Sequence, residues 1–228
     1  MRKPVVDYRE FRFSRLNTPQ FSHMKPAIFG WIFYFSFYFL TENLIPAEIC
    51  RPIHCALDDM IPFCEYFAVF YVFWYLLVFG SLIWTLLYDI DSFTRLSKFI
   101  LITQVVAMTI YILFPSRQDL RPEVFVRDNF LTRTMAFIYS FDTSTGVCPS
   151  LHVAYSMGIL SVGLKKRELK CVWKWALGIV VVLICLATAF VKQHSVLDIL
   201  AALPVSLAAE LLVYWTDYWK PRLWKKNE

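Results

Sequence analysis

The sequence predicts an all-α polytopic membrane protein, a bundle of six transmembrane helices, and two observations carry this prediction. First, 58% of the 228 residues are hydrophobic and 18% are charged, whereas soluble domains average about 45–50% and about 25%. Second, residues 66–88 and 143–164 contain no Asp, Glu, Lys or Arg, and about 20 such residues cross a bilayer core as a helix. These runs exclude a disordered chain, a coiled coil and a nucleic-acid-binding module, despite the net charge of +5.

Six apolar runs define the predicted spans, and each is assigned as a helix because a helix satisfies its own backbone in lipid. In chain order they are Pro26–Ile45, Glu65–Tyr88, Phe99–Phe114, Ser150–Leu164, Lys174–Val191 and Ser195–Tyr218. The second run is the clearest and the third is short, while four residues interrupt the sixth: Asp198, Pro204, Glu210 and Asp217. The predicted organisation is a basic arm over residues 1–25, a six-helix catalytic domain over residues 26–219 and a basic tail over residues 220–228.

Basic residues indicate the orientation, because Lys and Arg are enriched in cytoplasmic loops. Of the 23 Lys and Arg residues, 17 lie in the arm, the tail and the two loops predicted on the same side. The six on the opposite side are Arg51, Arg117, Arg121, Arg127, Arg133 and Lys192. Both termini are therefore expected to be cytoplasmic, in a multi-pass protein of a bacterial plasma membrane whose site lies on the extracytoplasmic side.

The six cysteines do not predict a disulfide framework or a zinc site. Four of them, Cys50, Cys55, Cys64 and Cys148, lie on or near the outer side, where a disulfide such as Cys50–Cys55 can form in an oxidising compartment. Free thiols are the favoured interpretation, since buried thiols in a membrane bundle are ordinary. No Cys pair stands beside a His pair at ligand spacing, so no metal site is predicted.

A histidine and a carboxylate stand at the start of the sixth predicted span. His194 and Asp198 are four residues apart, which places both on one face of a helix. The carboxylate can accept a hydrogen bond from one imidazole nitrogen and leave the other nitrogen as a base or nucleophile. An ionisable pair at the start of a span is costly, which favours a functional interpretation over a helix cap that faces water.

A second histidine follows the longest connection in the chain, residues 115–149, a length typical of functional or disordered loops. Pro149 and Ser150 predict a helix start, where the free N–H groups and the Ser150 hydroxyl form an anion site. His152 lies in the first turn, close to any anion bound there. A lone histidine near an interface is more often structural, but a second histidine and several cations on the same surface favour a site.

Positive charge at that outer surface comes from Arg121, Arg117 and Lys192. Guanidinium groups match phosphate oxygens bidentately, and Lys adds a point charge. Together with the two histidines and the carboxylate, these residues predict a phosphoryl-transfer site without a metal or another cofactor. The cations stabilise the phosphate oxygens, one histidine attacks phosphorus and the other protonates the leaving oxygen.

These motifs resemble those of the type-2 phosphatidic acid phosphatase superfamily of integral membrane lipid phosphatases and phosphotransferases. That family carries Lys-x6-Arg-Pro, then Pro-Ser-Gly-His, then Ser-Arg-x5-His-x3-Asp. The matching segments here, in the same order, are Arg121-Pro122, Pro149-Ser150-Leu151-His152 and His194-x3-Asp198. The resemblance covers the chain from about the third span to the sixth, and the six-helix core of the family agrees with the number of predicted spans.

The resemblance implies a role for each matching residue. His194 is implied to be the nucleophile that forms a phosphohistidine, and Asp198 to orient it. His152 is implied to be the general acid, and Ser150 and Arg121 to bind phosphate.

The sequence also departs from the family pattern. Phe114 stands where the family has Lys, and Thr188 stands where it has the Arg of the third motif. Arg117 and Lys192 are the candidate replacements for these charges. Leu151 in place of Gly resembles the subgroup that includes the inositol phosphorylceramide synthases.

The predicted function is hydrolysis of a lipid phosphomonoester or pyrophosphate, such as phosphatidate or an isoprenyl pyrophosphate. The alternative is a phosphotransferase that moves a phospho-headgroup to a lipid or alcohol acceptor, since both reactions use the same residues. A transporter is less favoured because the sequence shows no internal repeat, and a metalloenzyme is less favoured because the cations would repel a metal. The expected partners are a lipid phosphate substrate and the membrane, with no nucleic acid, and the oligomeric state is left open.

Overall fold

The computed structural model describes residues 3–215, and the chain within them is mostly helical, as predicted. The helices are α1 (Lys25–Leu44), α2 (Ala56–Met60), α3 (Ala68–Tyr88), α4 (Ile90–Leu113), α5 (Phe130–Phe141), α6 (Leu151–Lys165), α7 (Cys171–Phe190) and α8 (Val196–Val213). Two very short strands, β1 (Arg51–Pro52) and β2 (Ser116–Arg117), pair in parallel. The end of the sixth predicted span at Tyr218, the tail over residues 220–228 and the first two residues of the arm lie outside the described residues.

Four helical segments within residues 3–215 are long and apolar enough to cross a membrane. They are Glu65–Tyr88, in which a 3-10 turn leads into α3, then α4, α7 and α8. Helix α6 has 15 residues, which makes it about 22 Å long at the α-helical rise, shorter than the ~30 Å bilayer core. The chain is thus a membrane protein with four candidate spans, and the two further spans at α1 and α6 stay a prediction.

Helix α4 begins at Ile90, well before the predicted start of the third span at Phe99. The Asp89 carboxylate caps it by accepting hydrogen bonds from the Ser92 amide at 3.1 Å and the Ser92 hydroxyl at 2.8 Å. An Asp91–Arg95 ion pair one turn along, at 2.9 Å, supports the first turns. The charged residues that suggested a loop are therefore helical.

The connection over residues 115–149, whose length is typical of functional or disordered loops, contains α5. The Asn129 side chain begins this helix by accepting hydrogen bonds from the amides of Leu131 and Thr132 at 2.9 and 3.1 Å. The buried face of α5, Met135 and Ile138, packs in one apolar cluster with residues of α3 and α7. The long connection is therefore folded against the bundle.

Helices α4 and α6 form the centre of the bundle. Helix α4 packs against α1, α6 and α8, while α6 also contacts α7 and α8. A glycine permits a close approach of α6 and α4, because a Cβ at Gly158 of α6 would lie 2.6 Å from the buried Phe99 ring of α4. Helix α6, which carries His152 in its first turn, is thus packed tightly against α4.

The N-terminal arm folds across the end of α3 and the start of α4. The Tyr8 hydroxyl donates to the Leu86 carbonyl at 2.7 Å and lies 3.0 Å from His23 Nε2. Phe21 is fully buried, and the His23 ring contacts the Phe93 ring of α4. The part of the arm that the structure describes is therefore a packed cap on the bundle and not a solvated tail.

We predict that Gly158→Ala destabilises the protein, because the new methyl group must displace the buried Phe99 ring, at a cost of about 1–3 kcal/mol. Gly178→Ala is the matched control, since a Cβ at this α7 position meets no atom within 4 Å and Ala favours a helix over Gly by about 1 kcal/mol. Thermal unfolding in detergent should give a lower Tm for Gly158→Ala and an equal or higher Tm for Gly178→Ala. A rise in both would contradict the close packing of α4 and α6.

Candidate active site

Two helix N-termini meet at one end of the bundle and bring the two predicted histidines together. His152 lies in the first turn of α6, and His194 lies two residues before α8. Their ring centroids are 5.6 Å apart, with the rings edge to face. The Ser150 amide donates a hydrogen bond to the Asp198 carbonyl at 3.1 Å, which ties the start of α6 to α8.

The His194 ring is oriented by a buried carboxylate. His194 Nδ1 lies 3.2 Å from Asp198 Oδ2, and the same oxygen accepts the Ser195 amide at 3.0 Å. Since a carboxylate can only accept, Nδ1 carries the hydrogen, and Nε2 is left with its lone pair. Asp198 has no solvent exposure, so the pair forms a base or nucleophile held in one tautomer.

His152 is fixed by aromatic side chains of α3. Its ring lies against the Trp74 ring, with centroids 4.0 Å apart, and stacks on the Tyr71 ring at 4.6 Å. The Trp74 indole N–H also donates to the His152 carbonyl at 3.0 Å. Sequence reasoning missed this aromatic wall, because α3 is apolar on every side and gives no periodic signal for the face that meets the site.

Two buried polar atoms at the start of α6 have no hydrogen-bond partner within residues 3–215. They are His152 Nε2 and Ser150 Oγ. A buried polar group without a partner is costly, and such groups at a helix N-terminus can be satisfied by an anion. The start of α6 is thus suited to hold an anion beside the His152 ring.

The turn before α8 is held by a buried carboxylate, that of Asp58, which was not among the predicted site residues. Asp58, at the centre of α2, accepts the Ser195 hydroxyl at 2.6 Å and the Val196 amide at 2.8 Å. Burial alone would raise the pKa of Asp58, but these bonds and those from Cys55 outweigh it and lower the pKa below its usual value. Asp58 is only 2% exposed, so it is a charged clamp on the segment that carries His194.

The three predicted phosphate-binding cations lie in different surroundings. Arg117 pairs with Asp119 and donates to the Ala47 carbonyl at 2.9 Å, while Lys192 Nζ donates to the Asp58 carbonyl at 2.7 Å. The side chains of Arg117, Lys192, Arg121 and Ser150 are not among those that line the cavity at the histidines. Arg121 differs from Arg117 and Lys192 because it bonds to Gln193, which lines the cavity, whereas the side-chain partners of Arg117 and Lys192 lie outside the lining. The structure therefore does not bring Arg117 and Lys192 to the histidines.

Arg121 lies beside the site but is already surrounded by acceptors. Its guanidinium donates to the Gln193 side-chain oxygen at 2.6 and 3.1 Å and to the carbonyls of Asp142 and Thr143 at 2.8 and 2.9 Å. It also lies over the Tyr139 ring, 4.5 Å from the centroid. Arg121 thus joins the segment after α5 to the turn before α8.

The cavity at the histidines is small, with a volume of about 70 Å³. Its walls are Tyr34, Tyr38 and Thr41 of α1, Met108 and Tyr111 of α4 and the loop that leads into α6, and it is closed by His152, Gln193 and His194. A space of this size holds a small polar group but not the body of a lipid.

Asp142 is a further cavity residue that sequence reasoning missed. Its Oδ2 accepts the Gln193 side-chain amide at 3.0 Å and the Tyr71 hydroxyl at 3.3 Å. Burial raises the pKa of Asp142, and the Arg121 charge, His194 and the Tyr71 bond only partly offset this. The carboxyl thus takes up a proton at a higher pH than an exposed aspartate does, which lowers the negative charge facing the histidines.

All six cysteines are free thiols in the structure. Cys148 lies next to the site, where burial and the nearby Asp198 carboxylate raise the pKa of its thiol to about 12. Within residues 3–215, no three His, Cys, Asp or Glu side chains are arranged to hold a metal ion.

Comparison of the chain with protein-family models, with curated proteins and with solved structures finds no match. The assignment of a function therefore depends on the residues and their geometry.

We predict that Asp58→Asn destabilises the fold at pH 7, because it removes the charge from hydrogen bonds to Ser195 and Val196, at a cost of about 2–3 kcal/mol. Since the folded state lowers the pKa of Asp58, its contribution is present above about pH 4 and is lost as the pH falls further. Thermal unfolding in detergent should show a lower Tm for the variant at pH 7 and a smaller difference at pH 3.

Asp59→Asn is the matched control, because Asp59 is the exposed neighbour in α2 and pairs with the exposed His54. Its Tm should stay close to that of the parent at both pH values. Equal losses in Asp58→Asn and Asp59→Asn would contradict the clamp.

Proposed function

We propose that this chain is a membrane lipid phosphatase of the type-2 phosphatidic acid phosphatase superfamily, acting on a lipid phosphomonoester or pyrophosphate through a phosphohistidine. The observation that carries the proposal is the pair of facing imidazoles, 5.6 Å apart, of which one is held by a buried carboxylate. The unpartnered His152 Nε2 and Ser150 Oγ beside them support an anionic ligand.

The proposed reaction begins with an attack by His194 Nε2 on the phosphorus atom. A P–N bond forms as the P–O bond to the lipid breaks, and protonated His152 gives its proton to the leaving oxygen. Asp198 stabilises the positive charge that His194 gains, since it already accepts from Nδ1. Water then gives a proton to His152, its oxygen displaces His194, and inorganic phosphate leaves.

The proposed phosphate contacts are the Ser150 hydroxyl, the first amides of α6 and Arg121. The first two lie at a helix N-terminus, where backbone N–H groups favour an anion. Arg121 donates to the side-chain oxygen of Gln193, which lines the cavity. It reaches the phosphate by exchanging this hydrogen bond for one to a phosphate oxygen. Arg117 and Lys192 are left out of this contact set, because they have other partners away from the cavity.

The small cavity supports a substrate whose phosphoryl group alone enters the site. A volume of about 70 Å³ leaves no room for acyl or isoprenyl chains. The rest of the lipid would stay in the bilayer beside α1, whose Tyr34 and Tyr38 form one wall.

A phosphotransferase is the second candidate, and Leu151 is the residue that favours it. Pro-Ser-Leu-His is the form of the second motif that resembles the inositol phosphorylceramide synthase subgroup. In that reaction a lipid or alcohol hydroxyl, in place of water, receives the group held by His194. A new phospholipid among the products of the assay below, instead of inorganic phosphate, would establish transfer.

We further propose that α1 and α6 complete a six-span bundle with both termini cytoplasmic. Both helices pack against the candidate span α4, and a short α6 is consistent with a site recessed below the membrane surface. The charge difference of 17 to 6 basic residues supports this orientation.

The orientation predicts which cysteines an impermeant maleimide reaches. Native Cys171 is exposed at the start of α7, on the side of the termini, so it should react in inside-out membrane vesicles. Asp119→Cys in a background with all six native cysteines replaced by Ser should react only in right-side-out vesicles, and Cys171 restored alone in that background should react only in inside-out vesicles. The reverse pattern would overturn the orientation without affecting the assignment of the reaction.

The roles of the two histidines predict different responses to the leaving group. His194→Ala should lose at least about a thousandfold in kcat on any phosphate ester, since it removes the nucleophile. In the first step, formation of the phosphohistidine, His152→Ala should lose a comparable factor on an alkyl ester such as phosphatidate but much less on p-nitrophenyl phosphate, whose leaving oxygen needs no proton. Hydrolysis of the phosphohistidine should slow equally with both esters, because His152 also takes the proton of the attacking water. The measurements are the first-turnover release of the leaving alcohol and the steady-state release of inorganic phosphate, for both esters, by purified protein in the presence of a chelator.

His54→Ala is the control, because His54 is an exposed histidine paired with Asp59. It should keep parental rates on both esters. Retained activity in His194→Ala would remove the nucleophile assignment, and an equal loss in the first-turnover release of both leaving alcohols in His152→Ala would remove the general-acid assignment.

A further inference from the structure

A second cavity, larger than the one at the histidines, lies elsewhere in the described part of the chain. It is a groove with a volume of about 910 Å³, far larger than the cavity of about 70 Å³ at His152 and His194. Helix α3 forms one side from Phe73 to Tyr88, and residues of α4, α6 and α7 form the remainder. No step of the proposed reaction uses this groove.

The groove exists because α3 and α7 contact at one end and separate toward the other. At the end near the histidines, the Phe67 ring stacks on Phe190 with centroids 4.3 Å apart, and the Cys64 amide donates to the Phe190 carbonyl at 3.0 Å. Further along α3, a Cβ at Gly80 would meet no atom within 4 Å. Within the groove α7 contributes only Leu177.

The groove lies in the half of the bundle away from the histidines. Trp74 contacts the His152 ring, and Tyr88 lies about 21 Å further along α3 at the helical rise. Since α3, α4 and α7 are candidate membrane spans, the groove opens within the apolar layer and reaches its boundary. Its lining is mostly apolar, with Phe73, Leu76 and Leu77 toward the middle of the bundle.

The far end of the groove has the chemistry of a membrane interface. Lys166 lines it, pairs with Asp89 at 2.7 Å and lies over the Trp84 ring at 4.1 Å. The adjoining loop, residues 165–170, contains four basic residues and one acidic residue, and Arg167 and Lys170 are exposed. An aromatic ring beside lysines at the end of a span is typical of an interface that faces anionic headgroups.

We propose that this groove binds the acyl chains of an anionic phospholipid, whose headgroup lies at the basic loop over residues 165–170. The charged residues that line the end of the recess are Lys166, its partner Asp89, and Glu168. The exposed Arg167 and Lys170 of the adjoining loop exceed the single charge of Glu168, so a negative headgroup at this loop is favoured over a zwitterionic one. The bound lipid fills the space between α3 and α7 and holds the two helices at their observed separation. The proposal is independent of the reaction at the histidines.

The test compares two glycine substitutions in detergent-purified protein. Gly80→Leu places a side chain in the open groove, while Gly178→Leu places the same side chain in open space on α7, outside the groove lining. Native mass spectrometry would count the molecules of dioleoyl phosphatidylglycerol or dioleoyl phosphatidylcholine that each protein retains. We expect the parent and Gly178→Leu to retain one phosphatidylglycerol in preference to phosphatidylcholine, and Gly80→Leu to retain at least tenfold less.

A surface variant keeps the proposal falsifiable if Gly80→Leu does not fold. Replacing Arg167 and Lys170 by Gln changes only exposed side chains and should lower the preference for phosphatidylglycerol at least fivefold without reducing retention of phosphatidylcholine. Equal retention of the two lipids by the parent would overturn the proposal, as would unchanged retention in folded Gly80→Leu.

Discussion

The geometry of the candidate site depends on one buried carboxylate, that of Asp198. Its Oδ2 accepts from His194 Nδ1 and from the Ser195 amide, and its own backbone carbonyl accepts the Ser150 amide. A carboxylate without solvent contact is costly unless donors contact it, and the two donors at Oδ2 offset part of this cost. One residue thereby fixes the tautomer of His194, caps α8 and sets the distance to the start of α6.

The charged side chains at the candidate site hold segments of the fold together. Arg121 directs its guanidinium at Gln193 and at carbonyls after α5, and Asp58 directs its carboxylate at the start of α8. Both groups join segments far apart in sequence, and both orient the turn that carries His194. An anion that enters the cavity meets a preorganised framework with Arg121 at its edge, where low polarity strengthens each remaining interaction.

Local patterns in the sequence were sufficient to predict the helix N-termini at the site and the long apolar helices, but not the contacts between distant segments. The spacing of His194 and Asp198 and the Pro149-Ser150 pair depend on helix geometry within a few residues, and the structure has both features as helix N-termini. Long apolar runs likewise located α3, α7 and α8. The contact of Asp58 with Ser195 spans 137 residues, and no local pattern specifies such a contact.

Side-chain direction was the other quantity that the sequence did not determine. The sequence placed Arg117 and Lys192 on the same side of the membrane as the histidines, but it did not determine the partners of their side chains. These partners are residues 47, 58 and 119, and they direct the charges away from the cavity. Helix α5 left a local signal, since Asn129 and Thr132 form a reciprocal cap. The two glycines show that the helices differ in packing. Gly158 allows α6 to approach Phe99 of α4 closely, whereas Gly80 of α3 faces open space, so α6 and α4 are tightly packed and the space beside α3 is open.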